Sequence, residues 1–180
     1  MSQTHIPCPD RRRVLAGLLG TASAAGLGFV PATARAEAAL VDLPPPGPRD
    51  ACPVCGMIVA KYPEWTAAVL FDDGAAVYFD GAKDFFKYLN DMERYAQGRT
   101  VSRIAAMGVT EYYGLKMVDA RAAFFVIGSD VYGPMGHELI PLQTQLDADD
   151  YFRDHAGVRQ VGFDEVTKDT LIGLDESRFE

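Results

Sequence analysis

Thr66 to Phe71 is an apolar run, Asp72-Asp73-Gly74 breaks it with turn residues, and Ala75 to Phe79 resumes it, so the stretch predicts two strands joined by a hairpin. The period then changes. Across Asp80 to Tyr95 the apolar residues Phe85, Phe86, Leu89, Met92 and Tyr95 recur at helical spacing, which predicts a helix with one buried face. Met57 to Ala60 reads as a short strand ahead of this unit, giving a hairpin-then-helix arrangement.

Further along, Val101 to Met107 and Leu115 to Asp119 read as strands, the second preceded by an aromatic turn at Tyr112-Tyr113-Gly114. Ala123 to Ile127 is a third apolar strand, Gly128-Ser129-Asp130 a break, and His137 to Leu142 another strand. Asp147 to His155 begins with acids suited to a helix N-terminus. Gln160 to Leu174 reads as a strand or loop followed by a short acid-capped helix. Met107 and Met117 fit the role of core gap-fillers.

The two halves resemble each other. Gly74 to Asp80 before Asp84-Phe85-Phe86 parallels Gly136 to Leu142 before Asp150-Tyr151-Phe152, each a glycine turn, a strand and an aromatic-bearing helix. Chance repetition of a common pattern explains the parallel as well as duplication does. The expected fold class is α+β, with two similar small ββα-type units packed together: residues 52–100 and residues 101–180. Residues 37–51 contain Pro44-Pro45-Pro46 and Pro48, which exclude helix and inner sheet and predict an extended tether.

The start of the chain changes the picture of where it works. Arg11-Arg12-Arg13, an apolar run from Val14 to Val30 diluted by Gly17, Gly20, Gly26 and Gly28, and then Ala34-Arg35-Ala36 have the order of an export signal over residues 1–36. Paired arginines and weak hydrophobicity favour the twin-arginine route, hence the periplasm. A retained membrane anchor would need a stronger apolar run of about 20 residues, so no stable membrane insertion is expected after cleavage. Residues 37–180 then carry a net charge of −11. Such an acidic body repels phosphates, which argues against nucleic acid and anionic membranes as partners and suits cations or a basic protein.

After the signal only two cysteines remain, Cys52 and Cys55, and two histidines, His137 and His155. A disulfide across so short a loop restrains little unfolded-state entropy and would be a poor staple. Cys52-Pro-Val-Cys55-Gly-Met57 and Met135-Gly-His137 together offer thiolate, thioether and imidazole, a soft donor set that favours Cu(I) over hard cations and over structural zinc. Within each segment, ligands at i and i+2 of an extended chain share a face. Gly56 and Gly136 let the backbone bend sharply, which suits a site on a loop edge from which an ion can be handed on. Met135 in core packing is an equally good reading of that residue, and His155 reads as a solvated cap on a helix end. Asp72, Asp73, Asp80 and Asp84 match no catalytic arrangement and read as a solvated acidic face. No nucleophile–base pairing or phosphate-binding loop stands out, so no enzyme is expected.

These segments resemble the NosL family of nitrous oxide reductase accessory proteins. The resemblance spans about Cys52 to Phe163 and is carried by Cys52-Pro-Val-Cys-Gly-Met57, Ala60-Lys-Tyr-Pro63, Tyr78-Phe-Asp-Gly81 with Asp84-Phe85-Phe86, and above all Tyr132-Gly-Pro-Met-Gly-His-Glu-Leu-Ile-Pro141. It implies a periplasmic Cu(I) chaperone with paired ββα-type units. Its partner would be nitrous oxide reductase, whose copper-sulfide centre needs the metal, or the membrane-associated machinery that matures it. Cys55, Met57, Met135 and His137, with Cys52, match the positions expected to bind copper. Many relatives look like lipoproteins, whereas this chain offers no acylation cysteine. The first unit also resembles a TRASH-type metal motif, but Asp80 and Asp84 stand where its later cysteines would be, which excludes a four-cysteine zinc site.

Two other classes stay open at this point. A structural zinc protein could use Cys52, Cys55, His137 and His155, and would be indifferent to Met57 and Met135. A thiol oxidoreductase could use Cys52 and Cys55 alone.

Overall fold

The computed structural model describes residues 36–179. The export signal anticipated over residues 1–36 therefore lies, save for Ala36, outside the described residues. The anticipated hairpin is present as β1 (Ala67–Phe71) and β2 (Ala76–Phe79), with Ala67 opposite Phe79 and Leu70 opposite Ala76. The helix that follows is α1 (Ala82–Asn90), which stops at Asp91 and resumes as the single turn α2 (Met92–Tyr95). Its apolar stripe is inside: Phe85, Phe86 and Met92 are buried, and Leu89 and Tyr95 pack partly against them.

Two further strands, β3 (Ile104–Thr110) and β4 (Met117–Asp119), complete an antiparallel sheet in the order β2-β1-β3-β4. They lie after residue 100 yet hydrogen-bond into the sheet begun by the first hairpin. Met107 is buried, and Met117 packs over Gly108, where a Cβ would overlap its side chain. The proline-rich segment is extended and is held against the sheet: Asp119 donates to the Ala39 carbonyl at 2.8 Å and Val41 to that of Met117 at 3.0 Å, and Ala38 is fully buried.

The second sheet is β8-β5-β9, antiparallel throughout, from β5 (Phe124–Ile127), β8 (Ile140–Leu142) and β9 (Arg159–Gly162). Between β5 and β8 the chain makes a small hairpin, β6 (Tyr132–Gly133) with β7 (Gly136–His137). The single strand expected over His137 to Leu142 is thus two short ones, because the 132–137 hairpin uses the backbone of His137 before the chain reaches β8. Helix α3 (Gln145–Asp154) starts at Thr144, whose hydroxyl accepts from Asp147 N–H. Helix α4 (Lys168–Asp175) is capped by Thr167, not by an acid as the sequence pattern indicated. A threonine hydroxyl meets the same unpaired N–H groups.

The larger of two buried clusters runs through both sheets, and a smaller one, around Val126, Ile140 and Tyr151, lies between the second sheet and α3. Phe86 of α1 meets Phe125 of β5 with ring centroids 5.1 Å apart, and Phe163 packs against both Phe85 and Phe86. The helix α1 is therefore fixed from both sides, and its first turn is a rigid base for what docks on it. The α+β class holds.

Candidate metal centre

The Cys52 to Met57 segment is a closed loop, not the start of a strand. An isolated bridge joins Ala51 to Ile58, Cys52 N–H donates to the Met57 carbonyl at 2.8 Å, and Gly56 N–H to the Cys52 carbonyl at 2.8 Å. Gly56 has φ +82, left-handed backbone that a side chain disfavours. Val59–Lys61 then forms a 3-10 turn where Met57 to Ala60 had read as a strand. Consequently Cys55 and Met57 flank a sharp bend, and the same-face argument for an extended i and i+2 pair does not apply to them.

The loop delivers its thiols to the entrance of α1. Cys52 Sγ donates to Asp84 Oδ2 at 3.3 Å and Cys55 Sγ to Asp80 Oδ1 at 3.2 Å. Cys52 is buried, Cys55 is half-buried, and both are free thiols. One ligand atom from each of Cys52, Cys55, Asp80 and Asp84 can be chosen so that all four lie within 4.8 Å of one another. Burial pushes the Cys55 thiol up to about 12, and it pushes Cys52 higher still; the neighbouring carboxylates add to both shifts while backbone N–H groups oppose them. These are thiols held protonated, and a positive charge bound beside them would favour their thiolates. That is the opposite of the lowered pKa a thiol-exchanging cysteine uses.

Two of the four acids that had read as a solvated face are nothing of the kind. Asp80 and Asp84 are 1% and 3% exposed, whereas Asp72 and Asp73 do face solvent, paired with Arg103 and Arg99. The separating fact is that Asp80 and Asp84 sit four apart across the start of α1, so both carboxylates face the cysteine loop. The spacing was visible in the sequence; the loop that covers it was not.

The Met-Gly-His segment is tied to the start of the same helix through Lys83. Met135 lies in the turn of the β6–β7 hairpin, 45% exposed, and Gly136 has φ +86. Lys83 Nζ donates to the Met135 carbonyl at 2.8 Å, and Lys83 N–H donates to Glu138 Oε1 at 2.6 Å. Glu138 is buried against Gly81, where any Cβ would overlap the carboxylate. Desolvation raises its pKa to about 8, opposed by Lys83. The sequence had offered no sign of this residue's part. A glutamate at the foot of a hairpin signals nothing until the helix N-terminus it caps is known.

Neither histidine belongs to the cysteine–aspartate group. The His137 ring lies between Tyr132 and Phe179, 4.7 Å from each centroid. His155 terminates α3, but its ring is stacked on Tyr151 and bonded to Asp130 at 3.1 Å, so it is not a solvated cap. A structural zinc site of Cys52, Cys55, His137 and His155 is therefore not assembled. No helix among the described residues is long and apolar enough to cross a membrane.

The NosL family model matches residues 45–171. The fold is similar to the crystal structure of the copper chaperone NosL from Shewanella denitrificans, with a TM-score of 0.59 at 22% identity over 71% of this chain and 97% of that one. A looser likeness, TM-score 0.40 at 19% identity over 61% of this chain and 87% of the other, is to the solution structure of the apo-NosL protein from Achromobacter cycloclastes. No curated protein matches the chain.

Proposed function

The chain belongs to the NosL family, and from that premise we propose that it is a periplasmic copper chaperone that binds Cu(I) and delivers it for the copper-sulfide centre of nitrous oxide reductase. Cys52, Cys55, Met57, Met135 and His137 supply the ligands in this reading. The observation that carries it is the convergence on residues 80–84: the Cys-x-x-Cys loop bonds to Asp80 and Asp84, and the Met-Gly-His hairpin bonds to Lys83. The segments that carry the sulfur donors and the imidazole are thereby tied to the start of one helix, which supports the reading. Cys55 is half-buried and Met135 is exposed, so a partner's ligands can reach the ion. Delivery by ligand exchange requires that access.

Competition against a Cu(I) chelator tests the reading. The reduced protein should retain one Cu(I) per chain, and Met135→Ala and His137→Ala should each weaken retention. Zinc held as well as Cu(I), or copper retention indifferent to both substitutions, would contradict it.

A further inference from the structure

The β6–β7 hairpin that carries Met135 and His137 has two residues in each strand, and an isolated two-stranded ribbon is marginally stable at best in water. Its geometry has to be imposed from outside. Helix α4 and the residues after it touch the hairpin by two unlike routes. Asp175, at the end of α4, pairs with the Lys83 ammonium at 3.2 Å, and that buried lysine donates to the Met135 carbonyl at 2.8 Å. The Phe179 ring meets the His137 ring with centroids 4.7 Å apart, while Tyr132, the cross-strand partner of His137, supplies the imidazole's other aromatic contact. We infer that the C-terminal helix and its tail clamp the Met-Gly-His hairpin, with Asp175, through Lys83, and Phe179, by direct ring contact, as positioning residues for Met135 and His137.

The tail is directed at the hairpin by the way the helix closes. Arg178 N–H donates to the Gly173 carbonyl at 2.7 Å and Ser177 N–H to that of Leu174 at 3.4 Å, with Ser177 left-handed at φ +57, a Schellman closure that fixes how the chain leaves α4. Phe179 then packs partly on the larger buried cluster. The charged route is as constrained. The Lys83 side chain is 3% exposed, and a buried ammonium needs both an ion partner and a hydrogen-bond acceptor, which Asp175 and the Met135 carbonyl provide. Neutralising Asp175 removes that ion partner and favours withdrawal of the ammonium from Met135. Asp175 and Phe179 both follow residue 171, the last that the family model matches, so the clamp is built from this chain's own end. The inference takes its ligands from the copper reading, but the placement of the hairpin can be read without metal.

Amide hydrogen exchange of the reduced, metal-free full chain tests the clamp. Asp175→Asn and Phe179→Leu should each speed exchange in the 132–137 hairpin about tenfold and leave β1 and β5 unchanged, whereas a general loss of stability would speed all three. Phe179→Tyr, which keeps the ring, should restore the parental rate. In competition with a Cu(I) chelator, Asp175→Asn and Phe179→Leu should each weaken retention about tenfold, the lower end of what outer-shell partners contribute to a metal site. Asp175 also pairs with Lys87 at 2.8 Å, so the route is separated by background. With Lys83→Met in place Asp175→Asn should add nothing, and with Lys87→Met in place, a background that does not depend on the buried lysine variant folding, it should keep its full effect. The reverse pattern would overturn the Lys83 route. Hairpin exchange unchanged by both Asp175→Asn and Phe179→Leu, or Cu(I) retention unchanged by them while Met135→Ala and His137→Ala weaken it, would overturn the inference. Should the copper reading fail instead, retention would ignore Met135 and His137 while hairpin exchange still responded to Asp175 and Phe179.

Discussion

Replacing Glu138 with glutamine should remove a loss of stability that the protein suffers towards alkali. Glu138 is buried against Gly81 and accepts from Lys83 N–H, and desolvation lifts its pKa from 4.5 to about 8. Between those two values the native state holds a proton that the unfolded chain has lost, so native stability falls as pH rises. The favourable contribution is complete below pH 4.5 and gone above about 8. A shift of this size corresponds to about 5 kcal/mol at most across the window, a third or more of a typical domain's stability. Glutamine keeps the acceptor for Lys83 N–H and never ionises. Urea denaturation of parent and Glu138→Gln at a series of pH values isolates the effect, because every other titrating group is common to both. The variant should match the parent near pH 4.5, exceed it increasingly up to about pH 8 and keep a constant margin above that. Parallel stability curves would refute the reasoning, since they would mean that the carboxylate ionises as freely in the fold as outside it.

Other substitutions test separate parts of the account. Phe86→Ala should cost about 3–5 kcal/mol in chemical denaturation, because it removes a ring packed on Phe85, Phe125 and Phe163; a loss under about 1 kcal/mol would show that the two sheets do not share a core. Gly81→Ala places a methyl against the Glu138 carboxylate and should destabilise by about 1–3 kcal/mol, an effect that shrinks when Glu138 is truncated to alanine in the same chain; strict additivity would remove the contact. With a pKa of about 12 against an ordinary 9, Cys55 of the metal-free protein should be alkylated at pH 8 on the order of a thousandfold more slowly than a free thiol, and a rate like that of glutathione would contradict its burial. Thr144→Ala should cost about 1 kcal/mol through the lost cap on α3, measured by thermal unfolding, and no change would show that the cap is not used.

Much of the architecture was legible because local periodicity carries it. The β1–β2 hairpin, the stripe of α1 and the strand β5 were readable from spacing alone, since each buries one face or all of a short apolar run. What could not be read was placement over long distances. The burial of Asp80 and Asp84 depends on a loop about 30 residues earlier folding back on them, and carboxylates on an unplaced helix start look solvent-facing. The β6–β7 hairpin is only two residues per strand, too short for any period to register. Its attachment to α1 through Lys83 and Glu138 joins groups 52 and 55 residues apart. The cysteines were readable as candidate metal ligands from residue type, whereas their immediate neighbours became visible only in three dimensions.

Copper-edge X-ray absorption on the reduced, Cu(I)-loaded protein and on its His137→Ala variant addresses the central claim most directly. Sulfur neighbours with one imidazole in the parent, and loss of the imidazole signal in the variant, are the predicted result. A copper ion surrounded only by the two cysteines and oxygen, with a spectrum the variant leaves unaltered, would contradict it.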